Sequence, residues 1–368
     1  MGKVVKFINS YLLQGDAIVQ QELWVVDGKI SKPQRNADYQ VDCQGMLLAP
    51  GLVDIQLNGG FGYDFAKTPE SINIVAEKLL EHGVASFLPT LVSSTAAVYE
   101  RAIPLLQPSK KDGAAEILGV HLEGPYLNPE AAGAHDRAAI HQARNISSLE
   151  VYGGLDGVKL VTIAPEMSFA IEAIAQLREH NIQVALGHSY AAYEEAKKGI
   201  LAGANMATHL YNAMRPFHHR EPGLIGAVLE SNLFYSIIAD GIHVHPAAIR
   251  AAWNANPNLI LISDATAALG STEKEHALGN KTVQVAGGVL RDENGMLAGT
   301  NVSLLQMVKN FKQFTNCPLP EALAAASLRP ATLLGIQDRK GSLHVGADAD
   351  IILLNHDLEV IPWSELGA

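Results

Sequence analysis

Several short apolar runs in this chain each end on residues that can hold a cation or move a proton. Asp54, Gln56 and Asn58 close the run LVDIQLN, Glu123 follows HL, His188 follows VALG, His209 follows MAT, His243 follows IIADGI and Asp264 follows LILIS. Two imidazoles and one carboxylate that leave a coordination position open have the composition of a hydrolytic divalent-metal site. Glu123, His188 and His209 supply that set, and the arrangement at successive run ends, rather than their spacing, makes it persuasive. Asp264 is read as a carboxylate that takes a proton from activated water and passes it to a leaving group; the alternative is an N-cap for the following turn. His243-Val-His245 looks like a two-ligand pair, but Pro246 marks a loop turning into a helix. By its residues alone, His218-His219-Arg220 reads as a solvated loop, and His121 as part of an interior wall. Gly59-Gly60-Phe61-Gly62 lacks the strand–helix setting of a nucleotide-binding fingerprint.

The elements that must carry these residues alternate. Strands are predicted near 47–57 (its second half), 85–92, 116–122, 158–164, 183–187, 206–210, 234–239 and 259–263. Runs such as VKLVTIA and LILIS are apolar at nearly every position, as parallel strands covered on both faces require. Between them lie helix-period segments. One is expected after Thr68 as N-cap with Pro69 in its first turn, another from Ser168 with a stripe through Ile171, Ile174 and Leu177. Eight such units predict an α/β fold of the (β/α)8 TIM-barrel type, with catalytic groups at the C-terminal ends of the strands. Residues 3–47 read as antiparallel strands with a turn at Asp27-Gly28, and residues 341–362 read the same way. The expected organisation is a small β-sandwich built from 1–48 and 339–368 beside a barrel at 49–338. A hairpin at 283–299 is expected as an insertion after the eighth strand.

Composition narrows the function. A formal net charge of −11 excludes nucleic acid as the expected partner, because phosphate-backbone binding needs a basic face. A small anion remains compatible, since a few local cations decide its affinity once charges beyond about 8 Å are screened. Two distant cysteines, Cys43 and Cys317, offer neither a disulfide scaffold nor a thiolate zinc site. The polar start and the lack of a long apolar run predict a cytoplasmic chain without membrane contact.

The segments APGLVDIQLNGG, HLEGPYL, GAHD, GHS, THLYNAM, REPG, ADGIHV, SDA and LAGT resemble the N-acetylglucosamine-6-phosphate deacetylases of the amidohydrolase superfamily. The resemblance spans essentially the whole chain. It implies an amino-sugar phosphate substrate, deacetylated to the amine and acetate, with Glu123, His188 and His209 holding the metal and Asp264 as base and then acid. It further implies that His135 bonds the acetyl carbonyl and its developing oxyanion, with Ala134 beside it. Asn212, Ala213, Leu297, Ala298 and Gly299 match substrate-binding positions. Arg220 and His243 match phosphate and sugar contacts that reach in from the neighbouring subunit of a homodimer, which reverses the reading of 218–220 as a bland loop. Two-metal superfamily members carry His-x-His after the first strand; Gln56-Leu57-Asn58 here implies a single divalent metal, zinc first, with iron, manganese and cobalt also compatible. Deacetylation of N-acetylgalactosamine 6-phosphate, or hydrolysis of another N-acyl substrate, are the alternatives.

Overall fold

In the computed structural model, residues 3–143 and 149–366 are described. Eight parallel strands form the centre: β1 (Leu52–Leu57), β2 (Val84–Val92), β3 (Val120–Glu123), β4 (Val158–Ile163), β5 (Gln183–Leu186), β6 (Met206–Ala207), β7 (Phe234–Ile237) and β8 (Leu259–Leu261). Each pairs with the next in chain order. A parallel bridge between Leu57 and Ala265 brings the end of β1 to the residues after β8, so the sheet returns on itself as a barrel. The apolar runs are buried on both faces: every residue of β1 and β2 is buried.

The predicted third strand is broken. Glu116–Ile117 pairs with the start of β2, and β3 begins only at Val120. Gly119 between them takes φ +136, and a Cβ there would lie 2.4 Å from the Gly157 carbonyl oxygen, so only glycine fits. Thr68 stands at the N-cap position with Pro69 after it, as expected, but it makes no side-chain cap, and the first turn, Pro69–Ser71, is 3-10 before the helix Ile72–Leu79. The next predicted helix runs Ala170–Glu179, two residues later than Ser168. Pro246 does open the helix Pro246–Ala255.

The N-terminal segment forms two four-stranded sheets, to the second of which the C-terminal segment adds one strand. One contains Val4–Ile8, Leu23–Val26, Lys29–Ser31 and Tyr39–Asp42; the other contains Tyr11–Gln14, Ala17–Gln20, Leu47–Pro50 and Ile351–Leu354. Phe7, Leu12, Val25, Ile30, Leu48 and Leu353 share one buried apolar cluster. Asp27 and Gly28 have φ 49 and 71, the left-handed pair a two-residue hairpin turn needs. The pairing is not wholly antiparallel as expected, because Val5 lies parallel to Tyr39 and Tyr11 to Leu47. Within 341–362 only Ile351–Leu354 forms a strand. The hairpin expected at 283–299 is part of a three-stranded antiparallel sheet, Glu275–Leu278, Lys281–Ala286 and Val289–Asp292.

Candidate active site

The C-terminal ends of the barrel strands surround a cavity of about 330 Å³, within the range of small-molecule sites. Glu123, the last residue of β3, is its chemical centre. Its Oε1 lies 3.0 Å from His209 Nε2 and 3.3 Å from His188 Nε2, and the two Nε2 atoms are 3.0 Å apart. Three ligands on tetrahedral metal bonds of about 2.0–2.1 Å would stand roughly 3.3 Å from one another. The triangle therefore matches a shared cation in both size and chemistry.

Backbone partners decide which imidazoles can give a lone pair. His188 Nδ1 donates to the Ala131 carbonyl at 2.8 Å, which turns the Nε2 lone pair toward Glu123. His135 is oriented the opposite way: the Ser93 backbone N–H donates to its Nδ1 at 3.1 Å, so its proton sits on Nε2, 3.5 Å from Glu123 Oε2. Glu123, His135 and His188 also each offer an atom within 4.8 Å of the others. The Ser93 contact nevertheless makes His135 a donor into the site, not a lone-pair ligand. His209 turns its Nε2 toward Glu123, 3.0 Å from Oε1, while its Nδ1 is buried on the far side of the ring.

Burial would raise the Glu123 carboxyl, but the surrounding His135, His188 and His209 outweigh it and hold the group well below the ordinary range. Burial, reinforced by the nearby His135, pushes His188 down to about 4. Asp264 is lifted to about 6, first by burial and then by the Glu123 charge. Two side-chain amides steady it: Asn58 Nδ2 donates to Asp264 Oδ1 at 2.9 Å, and Gln56 Nε2 reaches both Glu123 Oε1 at 3.0 Å and Asp264 Oδ1 at 3.3 Å. His121 lies beneath this layer within the wall, bonded to Thr162 at 2.8 Å.

The backbone at these strand ends is unusual. His188, His209 and Asp264 have φ 48, 33 and 45, left-handed conformations that residues with a Cβ adopt at a cost. Gly187 lets two strands close up below His188, since a Cβ there would meet Thr208 Cβ at 2.9 Å and Thr162 Cγ2 at 3.0 Å.

Twelve of the thirteen residues expected from the sequence line this one cavity: Glu123, Ala134, His135, His188, His209, Asn212, Ala213, His243, Asp264, Leu297, Ala298 and Gly299. Arg220 does not; it is exposed, with its guanidinium 3.0 Å from His219 Nε2. One expectation needs correction. His243 was expected to reach a neighbouring subunit's site, but it lines the cavity of its own chain, because the turn before Pro246 folds it inward and Asp240 Oδ2 holds its Nδ1 at 2.6 Å. Glu130 and Tyr190 also line the cavity and were not foreseen. Tyr190 had a usable signal, two residues past His188; Glu130 had none.

A second acidic group, Glu116, Asp348 and Asp350, also meets cation-site geometry. The Lys340 ammonium already fills it, 2.6 Å from Glu116 and 2.9 Å from Asp348, and in contact with Asp350. No helix among the described residues is long and apolar enough to cross a membrane.

The amidohydrolase family model matches residues 47–363. The N-acetylglucosamine-6-phosphate deacetylase of Bos taurus is 44% identical, over 97% of this chain and 93% of its own length. The crystal structure of N-acetylglucosamine-6-phosphate deacetylase from Pasteurella multocida has a TM-score of 0.90 at 33% identity, covering 97% of both chains. A mutant of the Mycobacterium smegmatis deacetylase, in complex with N-acetyl-D-glucosamine-6-phosphate, has a TM-score of 0.83 at 31% identity and covers 98% of this chain and 96% of its own. Members of the family depend on a metal, and this chain carries a site that suits one. The chain belongs to the amidohydrolase family, in its branch of N-acetylglucosamine-6-phosphate deacetylases.

Proposed function

We propose that the protein hydrolyses the acetamide of N-acetyl-D-glucosamine 6-phosphate to D-glucosamine 6-phosphate and acetate. The observation that carries this is the convergence of Glu123, His188 and His209 within 3.3 Å of one another, in a cavity that Asp264 and His135 also line. A divalent cation held by those three residues, zinc by preference, supplies Lewis acidity that polarises a carbonyl and acidifies water.

The rest of the chemistry belongs to the chain. The Gln56 and Asn58 amides both engage Asp264 Oδ1, which leaves Oδ2 to accept the proton of the attacking water. The same carboxyl then returns that proton to the departing amine nitrogen. The fixed Nε2–H of His135 donates to the acetyl oxygen as negative charge builds on it. Asp240 fixes His243 with Nδ1 turned away, presenting Nε2 to the sugar phosphate.

Among the described residues no lysine or arginine lines the cavity, yet a phosphate calls for one. The exposed loop that carries Phe217, His218, His219 and Arg220 supports a homodimer in which Arg220 reaches the neighbouring site. His243 then acts within its own chain. Cytoplasmic residence and a role in amino-sugar breakdown fit this reading.

The test is a panel of N-acetylglucosamine and N-acetylgalactosamine, each with and without 6-phosphate, assayed for acetate release by the metal-loaded protein. The highest kcat/KM is expected for N-acetylglucosamine 6-phosphate, with a large loss when the phosphate is absent. Equal rates with and without phosphate would overturn the substrate assignment.

A further inference from the structure

We propose that Glu166 is the positioning residue that aims His188 into the metal centre. This rests on the reading of His188 as a ligand. Glu166 stands three residues beyond the end of β4, does not line the cavity, and is half-buried where two loops meet. Its Oε1 accepts from Asn128 Nδ2 at 2.8 Å and from the Tyr190 backbone N–H at 2.7 Å; its Oε2 accepts from Ser189 Oγ at 2.7 Å. A carboxylate that accepts three donors forms charge-assisted bonds, stronger than neutral ones.

Both loops that Glu166 ties down act on His188. Asn128 donates its backbone N–H to the His188 carbonyl at 3.0 Å, and its Oδ1 accepts the Glu130 N–H at 2.9 Å, capping the turn Pro129–Ala131. That turn presents the Ala131 carbonyl, which takes the His188 Nδ1–H and thereby fixes the tautomer and ring plane. From the other side, Ser189 and Tyr190 directly follow His188, whose φ of 48 is costly for a residue with a Cβ. Such a conformation persists only when its neighbours over-determine it, and Glu166 holds the next two residues along the chain. One carboxylate thus secures the backbone of His188 and the acceptor that orients its ring. It also secures Glu130, Ala131 and Tyr190, which wall the cavity.

The test is metal affinity by chelator competition, with the visible spectrum of the Co(II)-loaded protein as a report on ligand geometry. Glu166→Ala is expected to weaken metal binding roughly 10–100-fold, the usual effect of removing a group that orients a ligand, and to shift the Co(II) bands. Glu166→Gln, which keeps one accepting oxygen, should fall between Glu166→Ala and wild type. Wild-type affinity and an unchanged Co(II) spectrum in both variants would overturn the proposal, as would a lowered melting temperature of the metal-free protein with affinity untouched. If Glu166→Ala does not fold, Asn128→Ala and Ser189→Ala each remove one arm; each should weaken binding, and wild-type affinity in both would overturn the proposal. His188→Ala is the control. Tight binding that survives it would refute His188 as a ligand, a failure distinct from that of the Glu166 clamp.

Discussion

His135 and His209 both face Glu123, and replacing each in turn by alanine separates a hydrogen-bond donor from a metal ligand. The Ser93 backbone N–H occupies His135 Nδ1 at 3.1 Å, so Nε2 carries the proton and has no lone pair to give. Losing one donor aimed at a developing oxyanion costs about 10²–10³ in kcat, or roughly 2.7–4 kcal/mol. His135→Ala should therefore lose that much at saturating metal, while the metal dissociation constant stays within a few-fold of wild type. It also leaves the Ser93 N–H buried and unpaired, a stability loss on the order of 1–3 kcal/mol. His209→Ala instead removes one of three atoms packed at 3.0–3.3 Å. Its metal affinity should drop by more than the roughly 10–100-fold that follows loss of a group merely supporting a ligand. Chelator competition gives the affinities, and acetate release over a metal titration gives kcat. If His135→Ala loses its metal as His209→Ala does, and excess metal restores its turnover, the tautomer reasoning is wrong and His135 is the ligand.

Four further outcomes follow, three from the site and one from the Lys340 cluster. Asp264→Asn should still bind substrate, with turnover down by orders of magnitude, because an amide cannot take the proton; undiminished kcat would remove Asp264 from the mechanism. The acid limb of the wild-type kcat profile should fall at or below about pH 6, since the burial-raised carboxyl works as a base only when ionised and a bound cation pulls it lower; a limb well above pH 6 would exclude it. Elemental analysis of the active protein should give one metal per chain, because the side chains of Gln56 and Asn58 are amides already committed to Asp264. Two essential metals would contradict that. Lys340→Met should lower the melting temperature sharply near neutral pH, as breaking a buried ion pair costs about 3–5 kcal/mol. Burial raises the Glu116 and Asp348 carboxyls, but Arg339 and Lys340 (for Glu116) and Lys29 and Lys340 (for Asp348) outweigh it and hold both below their usual range. Their stabilisation is therefore complete above the unfolded carboxylate range near pH 4 and is lost as pH falls through the lower folded values. The melting temperature of Lys340→Met should accordingly depend less on pH below 4 than that of wild type, and an equally steep fall would refute the coupling.

The barrel was legible because its signal is local and repeated. A strand covered on both faces must be largely apolar, and LILIS, like VKLVTIA apart from its exposed Lys159, carries that requirement in its own residues. The parallel pairings of Val5 with Tyr39 and of Tyr11 with Leu47 were not legible. The alternation of a half-buried strand is the same whichever direction its neighbour runs, so direction is settled by long-range docking of the two terminal sheets. The helix start at Ser168 was off by two residues, since the helix begins at Ala170, a shift within the usual scatter of helix ends. Thr68 does stand at the N-cap position, although its side chain makes no capping bond.

The candidate site divides along the same line. Side chains that do chemistry announce themselves by type, and Glu123, His188, His209 and Asp264 could be found as reactive residues at strand ends. The groups that decide what those residues can do act through the backbone or from neighbouring loops. The Ser93 N–H fixes His135, the Ala131 carbonyl fixes His188, and Glu166 ties the two loops behind them. The first two have no residue type that identifies their task, since an N–H and a C=O belong to every position, and Glu166 is one acidic residue among 38 in the sequence. His243 makes the same point from the other side: its identity was readable, but whether it served its own cavity or a neighbour's depended on Asp240 and the turn into Pro246. Reactivity is therefore written in residue type, whereas protonation state and aim are written in the fold. A variant of Glu166, which carries no chemistry of its own, consequently tests the site as sharply as a variant of a ligand.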